Sequence, residues 1–252
     1  PPERLQHVRY LFTDIDDTLT TEGRLLPHTY QALWDLHEAG IAIIPVTGGS
    51  AGWCEHIVRT WPVAAVIGES GAFCMTLVNG QVETEFWDES EEPADRQNRH
   101  LNNVAPLLGA FQLSRDQRFR LADVAVEIAG HSPTAIEALA AQIRKTGASV
   151  AISSIHINSW IGDYNKQTMS ARLLEKFGVS RADTGQLTAF VGDSRNDAPM
   201  FGYFANAFGV ANIMSVVDAL EAKPRWITTR PSGLGFADIA ATILAAKSAS
   251  PA

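Results

Sequence analysis

Short apolar runs that each end in a polar cluster constrain this chain more than any other feature. Val8-Arg9-Tyr10-Leu11-Phe12-Thr13 runs directly into Asp14-Ile15-Asp16-Asp17-Thr18, and Ile41 to Val46 ends at Thr47-Gly48-Gly49-Ser50. Between these runs Ala32, Leu33, Leu36 and Ala39 recur at helical spacing, with Pro27 suited to a first helical turn and Gly40 to a stop. A second amphipathic segment, Trp53 to Trp61, precedes a third run, Val63 to Ile67. Strand, helix, strand, helix, strand with short Gly-containing turns specifies an α/β fold with a doubly wound, mainly parallel sheet.

The pattern changes after Gly71. Asn79-Gly80 between Phe73–Val78 and Val82–Phe86 signals a hairpin. The acid-rich segment Asp88–Asp95 leads into a helix ending near Leu108, and Phe119 to Ile128 alternates like a half-buried strand. Ser132-Pro133 opens a helix that stops at Gly147, and Val150 to Ile161 is again strand-like. Residues 83–160 therefore read as a smaller α/β domain. No Pro/Ser-rich linker flanks them, so the reading is an insertion into a core formed by 1–82 and 161–252. The core pattern resumes with a helix from Gln167 to Phe177 and a buried run, Leu187–Val191, ending at Gly192-Asp193-Ser194-Arg195-Asn196-Asp197. Short strands at Ala207–Val210 and Trp226–Thr229, with helices near Ser215–Leu220 and Phe236–Ala246, complete the sheet.

Composition removes several function classes. Twenty Lys+Arg against 28 Asp+Glu leave a formal charge of −8, which disfavours a phosphate-tracking nucleic-acid surface. One local cation can still hold a small anion that the global field repels. Cys54 and Cys74 are too few for a disulfide scaffold or a four-thiolate zinc site and read as buried thiols of a reducing compartment. No apolar run approaches the roughly 18 residues of a membrane span. The expectation is a soluble, cytoplasmic protein with no nucleic-acid or membrane partner and an open oligomeric state. The start, Pro1-Pro2-Glu3-Arg4, has neither an initiator Met nor a signal-peptide pattern, which is compatible with a trimmed start and a lost export signal.

Ligands of open α/β sheets bind outside the carboxyl ends of the strands, so the polar clusters can converge on one site. Asp14 and Asp16, spaced i, i+2, can give one carboxylate to a metal and leave the other for proton transfer; a solvated acidic turn is the alternative. Thr47-Gly48 offers a hydroxyl and a backbone N–H to a phosphate oxygen, or is a plain turn. Lys166 stands where an ammonium and a helix N-terminus coincide, or is a surface lysine. Asp193 and Asp197 extend the acid set, or cap a helix.

In their order and context these clusters resemble the haloacid dehalogenase (HAD) superfamily of aspartate-nucleophile phosphohydrolases. The family pattern is a strand-end DxDx(T/V), a strand-end Thr/Ser, a Lys at a helix start and a strand-end GDxxND. Here these stand as Asp14–Thr18, Thr47, Lys166 and Gly192–Asp197. An insertion between the second and third motifs, together with Asn196-Asp197, is similar to the Cof-type (IIB) branch with a C2 cap. That branch includes sucrose-phosphate, trehalose-phosphate and mannosyl-3-phosphoglycerate phosphatases. The resemblance implies a Rossmann-like core with an inserted cap and a Mg2+-dependent phosphomonoesterase. It makes Asp14 the nucleophile, Asp16 the acid and base, Thr47 the donor to phosphate and Lys166 the neutralising cation. Asp14, Asp193 and the Asp16 carbonyl would ligate Mg2+, supported by Gly48, Asn196 and Asp197.

Three departures stand out: Asp17 where relatives often have Gly or Asn, Ser70-Gly71-Ala72 preceded by Glu69 where many have Asn-Gly-Ala, and Asp163-Tyr164-Asn165-Lys166-Gln167 in place of Gly-x-x-Lys-Gly. The role of Asp17 is unassigned, and the other two are expected to bear on the substrate more than on the chemistry.

The substrate is expected to be a small phosphorylated metabolite, a sugar or sugar-acid phosphate. In the Val150–Ile161 strand His156, Asn158 and Trp160 share a face that could hydrogen-bond and stack on a sugar, or could be ordinary solvated sheet. Glu69 and Ser70 would assist from the core. Arg118 and Arg120, on the other cap strand, could hold a second anion. Trp34, Trp53 and Trp61 read as core residues, and the remaining histidines show no metal-ligand spacing. A phosphomutase of the phosphomannomutase type and a non-catalytic phospho-ligand binder are the rival readings.

Overall fold

The computed structural model describes residues 2–249, so Pro1, and the reading of the chain's start that includes it, lies outside the described residues. In chain order the elements begin α1 (Pro2–Leu5), β1 (Tyr10–Thr13), α2 (Pro27–Glu38), β2 (Ala42–Pro45), α3 (Ala51–Thr60) and β3 (Val66–Gly68). Next come β4 (Phe73–Val78), β5 (Gln81–Phe86), α4 (Pro93–Val104), β6 (Val124–Glu127), α5 (Pro133–Arg144), β7 (Ser149–Ile152) and β8 (His156–Trp160). The chain finishes with α6 (Lys166–Lys176), α7 (Arg181–Leu187), β9 (Thr188–Gly192), α8 (Ala198–Tyr203), β10 (Ala207–Gly209), β11 (Trp226–Ile227) and α9 (Ser232–Ser248).

The central sheet is parallel throughout, in the order β11-β10-β9-β1-β2. Alternation along its strands supplies both faces. Leu11, Ile43, Ala189 and Val191 pack with Leu33, Leu36, Ile239 and Ile243 on the α2/α9 side. Phe12, Ile44 and Phe190 pack with Met169, Leu173, Met200 and Phe201 on the α6/α8 side. Each such fully buried side chain contributes roughly 1.5–3 kcal/mol. Because β1 lies between β2 and β9, the residues after Thr13, Val46 and Gly192 emerge side by side at one sheet edge.

The third apolar run takes a different course. β3 meets β2 through the Val46–Ile67 bridge and the Thr47 N–H bond to the Ile67 carbonyl, then pairs antiparallel with β4 in a second sheet, β3-β4-β5. The Asn79-Gly80 turn has φ of 50° and 78°, the left-handed pair that a two-residue hairpin requires. Strand β5 spans the 82/83 position at which the sequence reading divides core from insertion.

A third, antiparallel sheet, β6-β8-β7, packs with α4 and α5 around Val104, Val124, Val126, Leu139, Ile143 and Ile157. Ser132 caps α5 by accepting from the Ala135 N–H. Two expected strands are shorter here. Val150–Ile161 is a hairpin, β7 and β8, joined through Ser153–Ile155. Of Phe119–Ile128 only Val124–Glu127 is strand, because residues 117–119 form a 3-10 turn whose following N–H groups bond to Glu69 instead of a neighbouring strand. Arg118 therefore sits in that turn and Arg120 directly after it, neither on a strand. The stretch near Ser215–Leu220 is two 3-10 turns, and α7 has no counterpart in the sequence reading. Trp61 packs against the core, but Trp34 and Trp53 are 39% and 43% exposed, so these two are surface residues. Cys54 and Cys74 are free and buried, and burial pushes the Cys74 thiol up to about 12. Among the described residues no helix is long and apolar enough to cross a membrane.

Candidate active site

Two adjacent strand ends, those of β1 and β9, deliver their acids to one point. Asp14 follows β1 with its N–H bonded to the Val191 carbonyl of β9, which fixes it beside the strand end that leads into Asp193. Lys166 is aimed at Asp14 and Asp197 by its helix. Asn165 caps α6 by accepting from the Gln167 and Thr168 N–H groups, while Thr168 Oγ1 accepts from the Asn165 N–H. Gly71, at φ 108°, lies so close to this turn that a Cβ there would meet the Asn165 carbonyl at 2.3 Å. Gly71 and Asn165 thus bear together on where Lys166 stands.

Lys166 Nζ donates to Asp14 Oδ1 at 2.7 Å and to Asp197 Oδ1 at 2.8 Å, and lies 3.5 Å from Asn196 Oδ1. Burial opposes its charge, but Asp14 and Asp197 outweigh that and hold the ammonium above its usual range. Asp197 also accepts from the Asp193 and Ser194 N–H groups. A Cβ on Gly192 would come within 2.6 Å of Asp197 Oδ2, so only glycine lets that carboxylate fold back.

Asp193 accepts from Thr18 Oγ1 at 3.2 Å and from Asn212 Nδ2 at 2.9 Å, and among the described residues no ammonium or guanidinium forms an ion pair with it. Oxygens of Asp14, Asp193 and Asp197 lie within 4.8 Å of one another, all three residues being buried. One lysine does not balance that set. Burial, then the neighbouring acids, push Asp14 up to about 7 and Asp193 up to about 9. A hard divalent cation would supply the missing charge, and the all-oxygen donor set fits one. In the 14–20 turn the N–H groups of Thr18, Leu19 and Thr20 all bond to the Ile15 carbonyl, and the Asp16 carbonyl takes none of them. Burial raises the Asp16 carboxyl as well, which suits an acid at neutral pH. Asp17 has φ 57°, a left-handed conformation open to Gly, Asn and Asp; this accounts for its place in the motif.

Thr47 Oγ1 accepts from the Gly49 N–H at 2.9 Å, which leaves its O–H free to donate. The Gly48 carbonyl is gripped from the insertion by Arg120 at 2.8 Å and Asn158 at 3.1 Å. Between the two units lies a cavity of about 120 Å3 lined by Asp14, Asp16, Gly48, Trp53, His156 and Asn158, among others. Beyond Lys166 and Asn196 a wider, more open groove of about 690 Å3 runs past Ser70 and Trp160.

Several expected substrate contacts have other occupations. Glu69 is fully buried, and its carboxylate accepts from the Ala51, Leu121, Ala122 and Asp123 N–H groups, so it ties the units together. Burial and nearby Asp123 push it up to about 8. Trp160 is 4% exposed, stacks on Tyr164 and donates to its carbonyl, so it is core and does not line the small cavity. Arg118 is exposed and lies over Phe119, while Arg120 is enclosed by Asp116 and Asp123. His156 and Asn158 do line the cavity. The Ser114 hydroxyl donates to Asp116, so His156 Nε2, 3.0 Å from that oxygen, must be the donor of the pair. Trp53 and Asn212 are the residues the sequence reading passed over. Asn212 follows β10 and could have been found by the same strand-end rule.

No family model matches the chain. The phosphoglycolate phosphatase of Pyrobaculum neutrophilum is 28% identical over 246 residues, covering 96% of this chain and 99% of that protein. Among solved structures, a Thermoplasma acidophilum protein superposes with a TM-score of 0.75 at 15% identity, covering 94% and 98% of the two chains. The Synechocystis sucrose-phosphatase, solved with sucrose and phosphate, gives 0.69 at 17% identity over 94% and 98%. A HAD/COF-like hydrolase from Plasmodium vivax gives 0.72 at 14% over 97% and 99%. The fold is that of the HAD superfamily. The ordered motifs, and a relative named as a phosphatase that is similar over nearly the whole chain, accord with that fold.

Proposed function

We propose that the chain is a Mg2+-dependent phosphomonoesterase that cleaves a compact phosphorylated metabolite through an aspartyl-phosphate. The observation that carries this reading is the buried Asp14–Lys166–Asp197 chain beside the cation-poor Asp193. Asp14 attacks phosphorus as the bond to the leaving oxygen breaks, and Asp16 delivers a proton to that oxygen. Asp16 then takes a proton from water, which attacks the aspartyl-phosphate, releases phosphate and restores Asp14. Thr47 O–H and the Gly48 N–H hold phosphate oxygens, and Lys166 keeps Asp14 ionised. Asp14, Asp193 and the Asp16 carbonyl would hold Mg2+, whose charge screens the phosphoryl oxygens, with Asn196 and Asp197 in support.

Residues 83–160 act as the cap over a core of 1–82 and 161–252. Both reacting acids line the small cavity of about 120 Å3. That favours a short hydroxy-acid phosphate, of the kind named for the Pyrobaculum relative, over a sugar phosphate. His156 and Asn158 face the leaving group there, with Trp53 at the rim. Phosphate release from a panel of phosphoglycolate, glycerol phosphates and hexose phosphates tests the reading. It predicts Mg2+-dependent turnover that is fastest with the two- and three-carbon esters. Isomerisation without phosphate release would make the chain a mutase, and no turnover of any ester, p-nitrophenyl phosphate included, a binder.

A further inference from the structure

Asn212 makes three hydrogen bonds, one for each of its polar positions. Nδ2 donates to Asp193 Oδ2 at 2.9 Å and to the Asp17 carbonyl at 3.1 Å, and Oδ1 accepts from the Ser232 N–H at 3.0 Å. Those partners fix the amide's orientation without ambiguity, because both N–H groups meet acceptors and the oxygen meets a donor. Asp17 and Ser232 are both held at positive φ, 57° and 48°. Non-glycine residues keep that conformation only where the surroundings over-determine it, and they concentrate at functional sites. One side chain therefore links the first acidic turn, the start of α9 and the carboxylate of Asp193.

The placement has a chemical consequence. With Thr18 on Oδ1 and Asn212 on Oδ2, both oxygens of Asp193 are held from the protein side, so the carboxylate cannot rotate. Each keeps further lone pairs toward Asp14 and Asp197. Both donors are neutral, so they orient Asp193 without supplying the charge it lacks. A lysine in place of Asn212 would neutralise Asp193 and compete with a cation.

We propose that Asn212 is a positioning residue for the metal site, aligning Asp193 for a divalent cation. The proposal rests on the functional reading above. Partners that orient a ligating group typically account for 10- to 100-fold in metal affinity. The test is Asn212→Ala, with Mg2+ binding followed by calorimetry, turnover measured against Mg2+ concentration, and Tm measured in EDTA. The expected result is a Kd for Mg2+ raised about tenfold or more. Turnover should be largely restored at saturating Mg2+, with KM for the ester little changed. A Kd within about twofold of the parent value would overturn the proposal, because a merely structural role lowers Tm without touching Mg2+ affinity. If Asn212→Ala does not fold, Asn212→Ser carries the same test, since its shorter hydroxyl cannot span both acceptors. A parent protein that binds no Mg2+ would defeat the functional reading itself, and the proposal with it; Mg2+ binding by the parent with an unaffected variant would defeat the proposal alone.

Discussion

The acid cluster of the core and the polar face of the insertion border the same cavity but are built in different ways. Asp14, Thr47 and Asp193 are placed by the ends of adjacent strands, and Lys166 by a capped helix, so backbone geometry sets their positions. His156 and Asn158 reach the cavity as side chains on β8, the central strand of the insertion's sheet. Asn158 is already bonded to Asp123 and Gly48, and His156 to Ser114. On the proposed function, what acts on the phosphoryl group is fixed by the sheet, and what meets the leaving group also holds the units together. A change in the first region should abolish chemistry, and one in the second should grade it.

The largest effect should follow Asp14→Asn. Turnover is expected to fall by on the order of 10^4- to 10^6-fold, as for other lost nucleophiles. Tm should hold or rise, because burial already disfavours this carboxylate. A large drop in Tm would mean that the cluster supports the fold as much as the chemistry. Trp160→Ala should act oppositely, costing about 3–5 kcal/mol of stability by urea unfolding, as for other buried tryptophans. Any residual activity should fall equally for all esters. Selective loss against one ester would return Trp160 to the recognition face.

The pH dependence separates the regions further. Asp14 and Asp193 are raised to about 7 and about 9 from 3.8, so without metal the folded state binds more protons than the unfolded one. Their stabilisation is complete below pH 4 and is lost as pH rises through 7 and 9. Metal-free protein should therefore lose roughly 5 °C of Tm between pH 6 and 9. Saturating Mg2+ should remove most of that loss. A loss unaffected by Mg2+ would point to Glu69, raised to about 8, as its source.

Smaller effects belong to the cap. His156→Ala should lower kcat/KM for the physiological ester about 10- to 100-fold, a loss of roughly 1–3 kcal/mol. Turnover of p-nitrophenyl phosphate should change little. Equal losses would show that His156 serves the fold. Arg118→Ala, on an exposed turn, should leave stability within about 0.5 kcal/mol and activity unchanged. A selective effect there would enlarge the recognition surface.

How much of this was legible in the sequence follows the same division. Asp14, Thr47, Lys166 and Asp193 were legible because a buried run ending in a polar cluster is a local signal, as are Asn79-Gly80 and the Ser132 cap. The β7–β8 hairpin was not, because Ser153-Ser154 carries neither Gly nor Pro and the alternation continues through it. Glu69 was misread because its partners, Leu121 to Asp123, lie more than fifty positions away. Trp53 was misread because helical periodicity does not say how far round a helix the core extends. The family pattern likewise marked the Asp17 position as special, while its left-handed backbone and its bond to Asn212 emerge only in three dimensions.

The Glu69 carboxylate, bonded at once to the α3 start and to three successive amides of the insertion, bears on how such proteins diversify. A lid exchanged wholesale between two chains of this architecture would arrive without its keystone, which belongs to the host. Recombination that respects the 83–160 boundary should thus yield poorly seated chimaeras. Transplanting residue 69 together with 120–123 should give seated ones. The unit of inheritance for the proposed leaving-group preference is then wider than the lid, and includes Glu69 of a short core loop.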